Sequence, residues 1–119
     1  MRSILAAIEN LEMRSALDSA MQSQQQKIEY VASFSELEEQ VQMDYPGVIL
    51  IDLHFSSFQP IDALMKMRIN PELRSVSKIG IIMQEHQDLQ DEAFLAGCQH
   101  VVLWNEFSKQ LPHLLIRYT

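Results

Sequence analysis

Glycine is scarce, with three in 119 residues: Gly47, Gly80 and Gly97. Neither a GxGxxG fingerprint nor a Walker A loop can be written with them, which excludes a glycine-rich loop wrapping ATP or NAD. Cys98 is the only cysteine, so no internal disulfide and no cysteine-based zinc site can form, and a reducing, cytoplasmic setting is expected. Basic residues are few as well. Nine Lys and Arg against sixteen Asp and Glu give a net charge of −7, and the nine are scattered along the chain. Nucleic-acid binding by this domain is therefore not expected. Long apolar runs are missing too: residues 4–8 form a run that stops at Glu9, short of the apolar core of a signal peptide. Nothing approaches the roughly 20 apolar residues that a membrane helix needs, so neither export nor membrane insertion is expected.

What remains has the balance of a water-soluble globule, 47% apolar and 21% charged. The length suits one domain over residues 1–119. Short apolar runs at 4–8, 28–32, 48–53, 79–83 and 101–104 alternate with segments of helical period. Four of these runs are apolar but for Asp52 and rich in Ile and Val, as expected of parallel strands buried on both faces. The second interleaves Ile28, Tyr30 and Ala32 with Glu29 and Val31, as a strand nearer the sheet edge would.

Between the runs, Met13, Ala16, Leu17, Ala20 and Met21 mark one helical stripe, and Leu111, Leu114, Leu115 and Tyr118 mark another. Ser33 or Ser35 fits a capping box for a helix starting at 34–36, and Pro46-Gly47 separates that helix from the third strand. Asn70-Pro71 ends a helix running from about Ile61. Gly97 suits the end of the fourth helix and Ser108 the start of the fifth. Right-handed crossovers between parallel strands make this an α/β fold: a doubly wound five-stranded parallel sheet with five helices.

In such sheets ligands bind beyond the carboxyl ends of the strands, where strand order reverses. The residues there are Glu9, Asp52, Ile82 or Met83, and Trp104 or Asn105. Glu9 and Asp52 are positioned to face each other across the crevice.

At these residues the chain resembles the CheY-like receiver domain of two-component response regulators. The resemblance spans the whole chain: "VILIDL" (residues 48–53) with Asp52 next to last, "MRINPELRSVSKIGIIM" (67–83), "LAGC" (95–98), and their order and spacing. It implies strand order 2-1-3-4-5. It also implies that Asp52 stands where the family accepts a phosphoryl group from a histidine kinase, with Mg²⁺ held by that Asp and an acidic pair. The family's acidic pair falls on Ile8 and Glu9, its strand-four hydroxyl on Ile82 and its strand-five lysine on Trp104. Only Glu9 and Asp52 keep suitable chemistry, enough for a weak Mg²⁺ site and otherwise for no cofactor. Trp104 replaces a mobile cation with an indole, and Val101 stands where many receivers carry a switching aromatic residue.

The expectation is thus a pseudo-receiver without enzymatic activity, acting in signal transduction by protein contact. The alternative is a phosphorylatable receiver that uses Asp52 in a phosphorelay. By resemblance, the face of helix four, strand five and helix five would meet a protein partner, a histidine kinase or another signalling protein, or a second copy. That face would carry Glu92, Trp104, Glu106, Lys109, His113 and Arg117. A flavodoxin-like flavin carrier shares the fold class but needs a hydroxyl-rich loop after strand one, which residues 10–13 do not supply.

Other residues read more plainly. Trp104 has three roles open: filling the pocket beside Asp52, anchoring a partner, or packing in the core. The loop after Asp52, bulky and without glycine, is expected to cover the acidic pocket or to offer Phe55 and Phe58 to a partner. No two of His54, His86, His100 and His113 share a helical i, i+4 face, which argues against zinc. The seven Met read as core packing, Phe107 as a contact at a helix start, and Cys98 as a small buried residue.

Overall fold

The computed structural model describes residues 2–111 and 113–118. Five parallel strands are joined in the order β2-β1-β3-β4-β5. They are β1 (Ser3–Ala7), β2 (Ile28–Tyr30), β3 (Pro46–Asp52), β4 (Ser77–Ile82) and β5 (His100–Leu103). The helices between them are α1 (Leu11–Gln22), α2 (Phe34–Met43), α3 (Pro60–Ile69) and α4 (Gln87–Leu95). The expected strand order and the doubly wound architecture are both present.

Alternation along the strands divides the core in two. Ile4, Ala6 and Ile8, Val48 and Leu50, and Ile79 and Ile81 join Met13, Leu17 and Met21 of α1 on one face. Leu5 and Ala7, Ile49 and Ile51, and Ile82 meet Leu37 and Val41 of α2, Leu64 and Met67 of α3 and Ala93 of α4 on the other. Burial on both faces explains the unbroken apolar runs of the central strands.

Local signals set the boundaries. Ser33 wins the choice of cap for α2: its hydroxyl accepts from the Glu36 N–H at 3.2 Å, while the Glu36 carboxylate accepts from the Ala32 N–H at 2.8 Å. Gly97 follows α4 with φ at 110°, a left-handed backbone that favours glycine. Gly47 is required for another reason. A Cβ there would strike the Tyr118 carbonyl, so the end of the chain closes against the start of β3 only because the side chain is missing.

Five expectations are corrected. Among the described residues the α-helices number six, because the region after β5 is broken into α5 (Trp104–Phe107), a 3-10 turn (Ser108–Gln110) and α6 (His113–Ile116). Leu111 is extended (φ −75°, ψ 145°), the backbone favoured before a proline, and Pro112 is the next residue. Ser108 caps no long helix, since its hydroxyl donates to the Asn105 carbonyl at 3.2 Å. Strand five covers His100–Leu103, one residue earlier than the run at 101–104, and Trp104 opens α5. Likewise β2 stops at Tyr30, leaving Val31 buried and Ala32 exposed. The Met residues are also not uniformly core: Met13, Met21 and Met67 are buried, but Met43, Met65 and Met83 are exposed.

Candidate functional site

The reversal of strand order lies between β1 and β3, so the carboxyl ends of these neighbours define the crevice. Beyond β1 stands Glu9, exposed, and at the end of β3 stands Asp52, 6% exposed. Burial raises the Asp52 carboxyl above the ordinary carboxylate range, and the negative charge of Glu9 adds to the effect. The His54 backbone N–H and the His54 ring act in the opposite direction. The two carboxylates predicted from sequence are therefore close enough to feel each other.

His54 closes over this carboxylate, a role the sequence reading did not assign. Its backbone N–H donates to Asp52 Oδ1 at 2.9 Å, the two-residue turn that aspartate side chains favour. Its ring Nε2 accepts from the Met83 N–H at 3.3 Å, joining the end of β3 to the segment after β4. The Asp52 carbonyl also accepts from the Phe55 N–H at 3.0 Å. No sequence signal marks this role, because the turn uses only the His54 backbone and the ring contact depends on the path of the loop toward Met83.

The rest of the loop turns inward. Phe55 and Phe58 are buried, with ring centroids 5.8 Å apart, so they support the loop from below and offer no surface to a partner. Without a glycine, the chain places Gln59 in the left-handed region (φ 58°) to enter α3, whose first residue is Pro60.

Ile82 ends β4 fully buried. Trp104 is half-buried, packs on the core face that holds Ile8 and Ile81, and lies 6.2 Å from the Phe107 ring. Of its three open roles, core packing is the one these contacts support. Phe107 is itself a core residue, 1% exposed, and so more than a contact at a helix start. Val101 is half-buried against the opposite core face. Among the described residues no three His, Cys, Asp or Glu side chains gather to hold a metal ion.

The residues assigned to a partner surface separate into two groups. Glu106 lines a cleft of about 280 Å³ with Glu85, Gln90, Val102, Leu103 and Phe107. Arg117 lines a second, of about 260 Å³, with His100, Val101, Gln110 and Tyr118. Consecutive residues of one strand point to opposite sides, yet Val101 and Val102 line both clefts, so the clefts follow the open edge of β5. Glu92, Lys109 and His113 are exposed but lie outside both.

Cys98 is buried, as expected, and burial pushes its thiol up from the ordinary range. Lys78 is buried beside it, with Nζ donating to the Leu73 and Arg74 carbonyls at 2.6 and 3.1 Å. Burial lowers its amine from the usual lysine range. No helix of the described residues is long and apolar enough to cross a membrane.

Neither protein-family models nor curated proteins match this sequence. Solved structures do match. A response regulator from Hahella chejuensis superposes with a TM-score of 0.85 at 13% identity, covering 99% of this chain and 95% of that one. The receiver domain of the sensor histidine kinase PA1611 from Pseudomonas aeruginosa PAO1, solved with a magnesium ion coordinated in its active site cleft, gives 0.81 at 17% identity, with coverage of 98% and 96%. The CheY-like protein tadZ from the same organism gives 0.78 at 20% identity, with both chains covered in full. Strand order, helix placement and near-complete coverage agree: this chain has the CheY-like fold of response-regulator receiver domains.

Proposed function

We propose that the chain is an atypical receiver domain that acts in signal transduction by protein–protein contact, without phosphorylation-driven switching. The observation that carries this reading is the surroundings of Asp52. A phosphoryl group on a carboxylate needs nearby charge neutralisation and hydrogen-bond donors. Here β4 ends in buried Ile82 and β5 leads into Trp104, which packs in the core. The Met83 N–H, just past the end of β4, already donates to His54.

Glu9 and Asp52 supply the minimum that a Mg²⁺ ion accepts, one or two carboxylates completed by water. They would hold the ion, and the ion would relieve the repulsion between them. The clefts along β5 are the surface for contact, with Glu106 and Arg117 lining them and Trp104, Lys109 and His113 in the adjoining C-terminal segment. Their occupant would be another signalling protein, a histidine kinase included, or a second copy meeting α4, β5 and α5. The net charge of −7 favours a partner with a basic face.

Incubation with Mg²⁺ and a small acyl phosphate, followed by intact-mass measurement, tests the reading. The expected result is no phosphate adduct. An adduct that disappears in Asp52→Asn overturns the proposal and favours the alternative, a receiver that takes its phosphoryl group on Asp52 from a histidine kinase.

The same variant has a predicted effect on stability. Asp52 has its carboxyl raised in the folded chain, so ionisation costs stability as pH rises through the carboxylate range. Asp52→Asn is expected to raise the melting temperature by a few degrees at pH 7. The gain should fade as pH falls below the unfolded carboxylate's ordinary value, to about 3, where aspartate is mostly protonated in both states. Thermal unfolding followed at the two pH values measures this.

A further inference from the structure

α4 is the least anchored of the longer helices. Ala93 is its single fully buried side chain, whereas α3 buries Pro60, Ala63, Leu64 and Met67. Leu89 and Gln90 are half-buried, and the other residues of α4 are exposed. A helix with so little packed surface depends on how its first turn is capped.

The cap is an imidazole. His86 adopts extended backbone (φ −152°, ψ 91°), and its Nδ1 accepts from the Leu89 N–H at 3.2 Å. The corresponding residues of α1 and α2 are Asn10 and Ser33, whose acceptors do not titrate near neutrality. A histidine does, and only its neutral form has a ring nitrogen free to accept.

We propose that His86 makes the N-terminal turn of α4 pH-sensitive: the neutral ring caps the turn and the protonated ring releases it. Protonation converts Nδ1 from acceptor to donor, so the Leu89 N–H loses its partner. It also places a positive charge at the helix end where the backbone dipole is already positive. Both effects act in the same direction.

The charged groups beside His86 in sequence, along α4 and in the neighbouring cleft are mostly acidic. Glu85 and Asp88 flank it in sequence, and Asp91, one turn further along, accepts from the Gln87 side chain at 2.9 Å. Glu106 of α5 shares a cleft with Glu85. From the β3–α3 connection comes His54, whose ring engages the Met83 N–H. All four carboxylates are on exposed residues, so their attraction for an imidazolium is screened, and none of it restores an acceptor to Leu89. Glu85 and Gln90 line the cleft beside β5, so release of the turn would reshape that side of the contact surface. This last consequence rests on the proposed function. The cap itself does not.

The test is amide hydrogen exchange of the whole chain, read by NMR at Leu89 at pH 8 and pH 5.5 and expressed as a protection factor. The wild type is expected to lose protection about fivefold at the lower pH, the size of a typical cap in an equilibrium constant. In His86→Asp, a good cap that stays ionised over this range, protection should hold at both pH values. In His86→Ala it should be low at both. Equal protection of the wild type at the two pH values, or the same fall in His86→Asp with His54 still present, would overturn the proposal. Because no partner enters the measurement, its outcome is independent of whether β5 is a contact surface.

Discussion

The sheet has two edges, and they are finished differently. At β2 the edge is three residues long, and Lys27 and Glu29 form an exposed ion pair at 2.9 Å. The third residue, Tyr30, is tied down from both sides. The Arg14 guanidinium lies 4.6 Å from its ring centroid, and its hydroxyl donates to Asp18 at 2.9 Å. At β5 the edge is His-Val-Val-Leu, with its last three residues half-buried and a cleft toward either end. Charge and short length blunt a sheet edge against unwanted pairing. The β2 edge is blunted in both ways, whereas the β5 edge is short but apolar. Under the proposed function, the open β5 edge is then the side from which a partner is met.

Three substitutions probe this contrast. The largest effect is expected at Phe107, which is 1% exposed and anchors the broken C-terminal segment beside β5. Phe107→Ala should cost about 3–5 kcal/mol in a denaturant titration, the range for a large aromatic residue removed from a core. Much of the segment's hold on the β5 side would go with it. A loss under about 1 kcal/mol would mean that the segment contributes little to closing that side of the sheet.

Tyr30→Phe keeps the ring under Arg14 and removes the hydroxyl. It is expected to cost about 1 kcal/mol, the typical net value of one hydrogen bond. Burial, followed by the Asp18 carboxylate, raises the Tyr30 phenol above its usual range. The variant should therefore remove an absorbance titration that occurs only at strongly alkaline pH in the wild type. Lys27→Ala should change stability least, by less than about 0.5 kcal/mol, because exposed ion pairs contribute little. Its effect belongs to association: light scattering at high protein concentration should show whether loss of this charge lets the β2 edge pair.

The sheet was legible in the sequence because burial on both faces leaves little choice of residue. Runs such as 48–53 can hardly be placed elsewhere. The C-terminal region was less so. Leu111, Leu114, Leu115 and Tyr118 carry a helical spacing, but that spacing spans Pro112, and Leu111 before it is extended. Periodicity records which residues face the core, and a broken chain can satisfy it as well as a continuous helix.

At the candidate site, Asp52 could be found because a carboxylate ending an apolar run is conspicuous. The part played by His54 could not, since it depends on how the β3–α3 connection folds back toward Met83. Trp104 shows the same limit: its position in sequence pointed to the acidic crevice, and its indole went to the core beside Phe107. The inward turn of Phe55 and Phe58 is a further case, because a bulky loop reads alike whether its rings face a partner or the core.

The buried thiol has a practical use. Cys98 is the chain's single sulfhydryl, 4% exposed between α4 and β5, with its Sγ donating to the His100 carbonyl at 3.0 Å. A thiol-directed reagent can modify it only while that connection is open, so each labelling event marks one opening. The labelling rate across denaturant concentrations would then time the breathing of the sheet at its unguarded edge, with no engineered probe required.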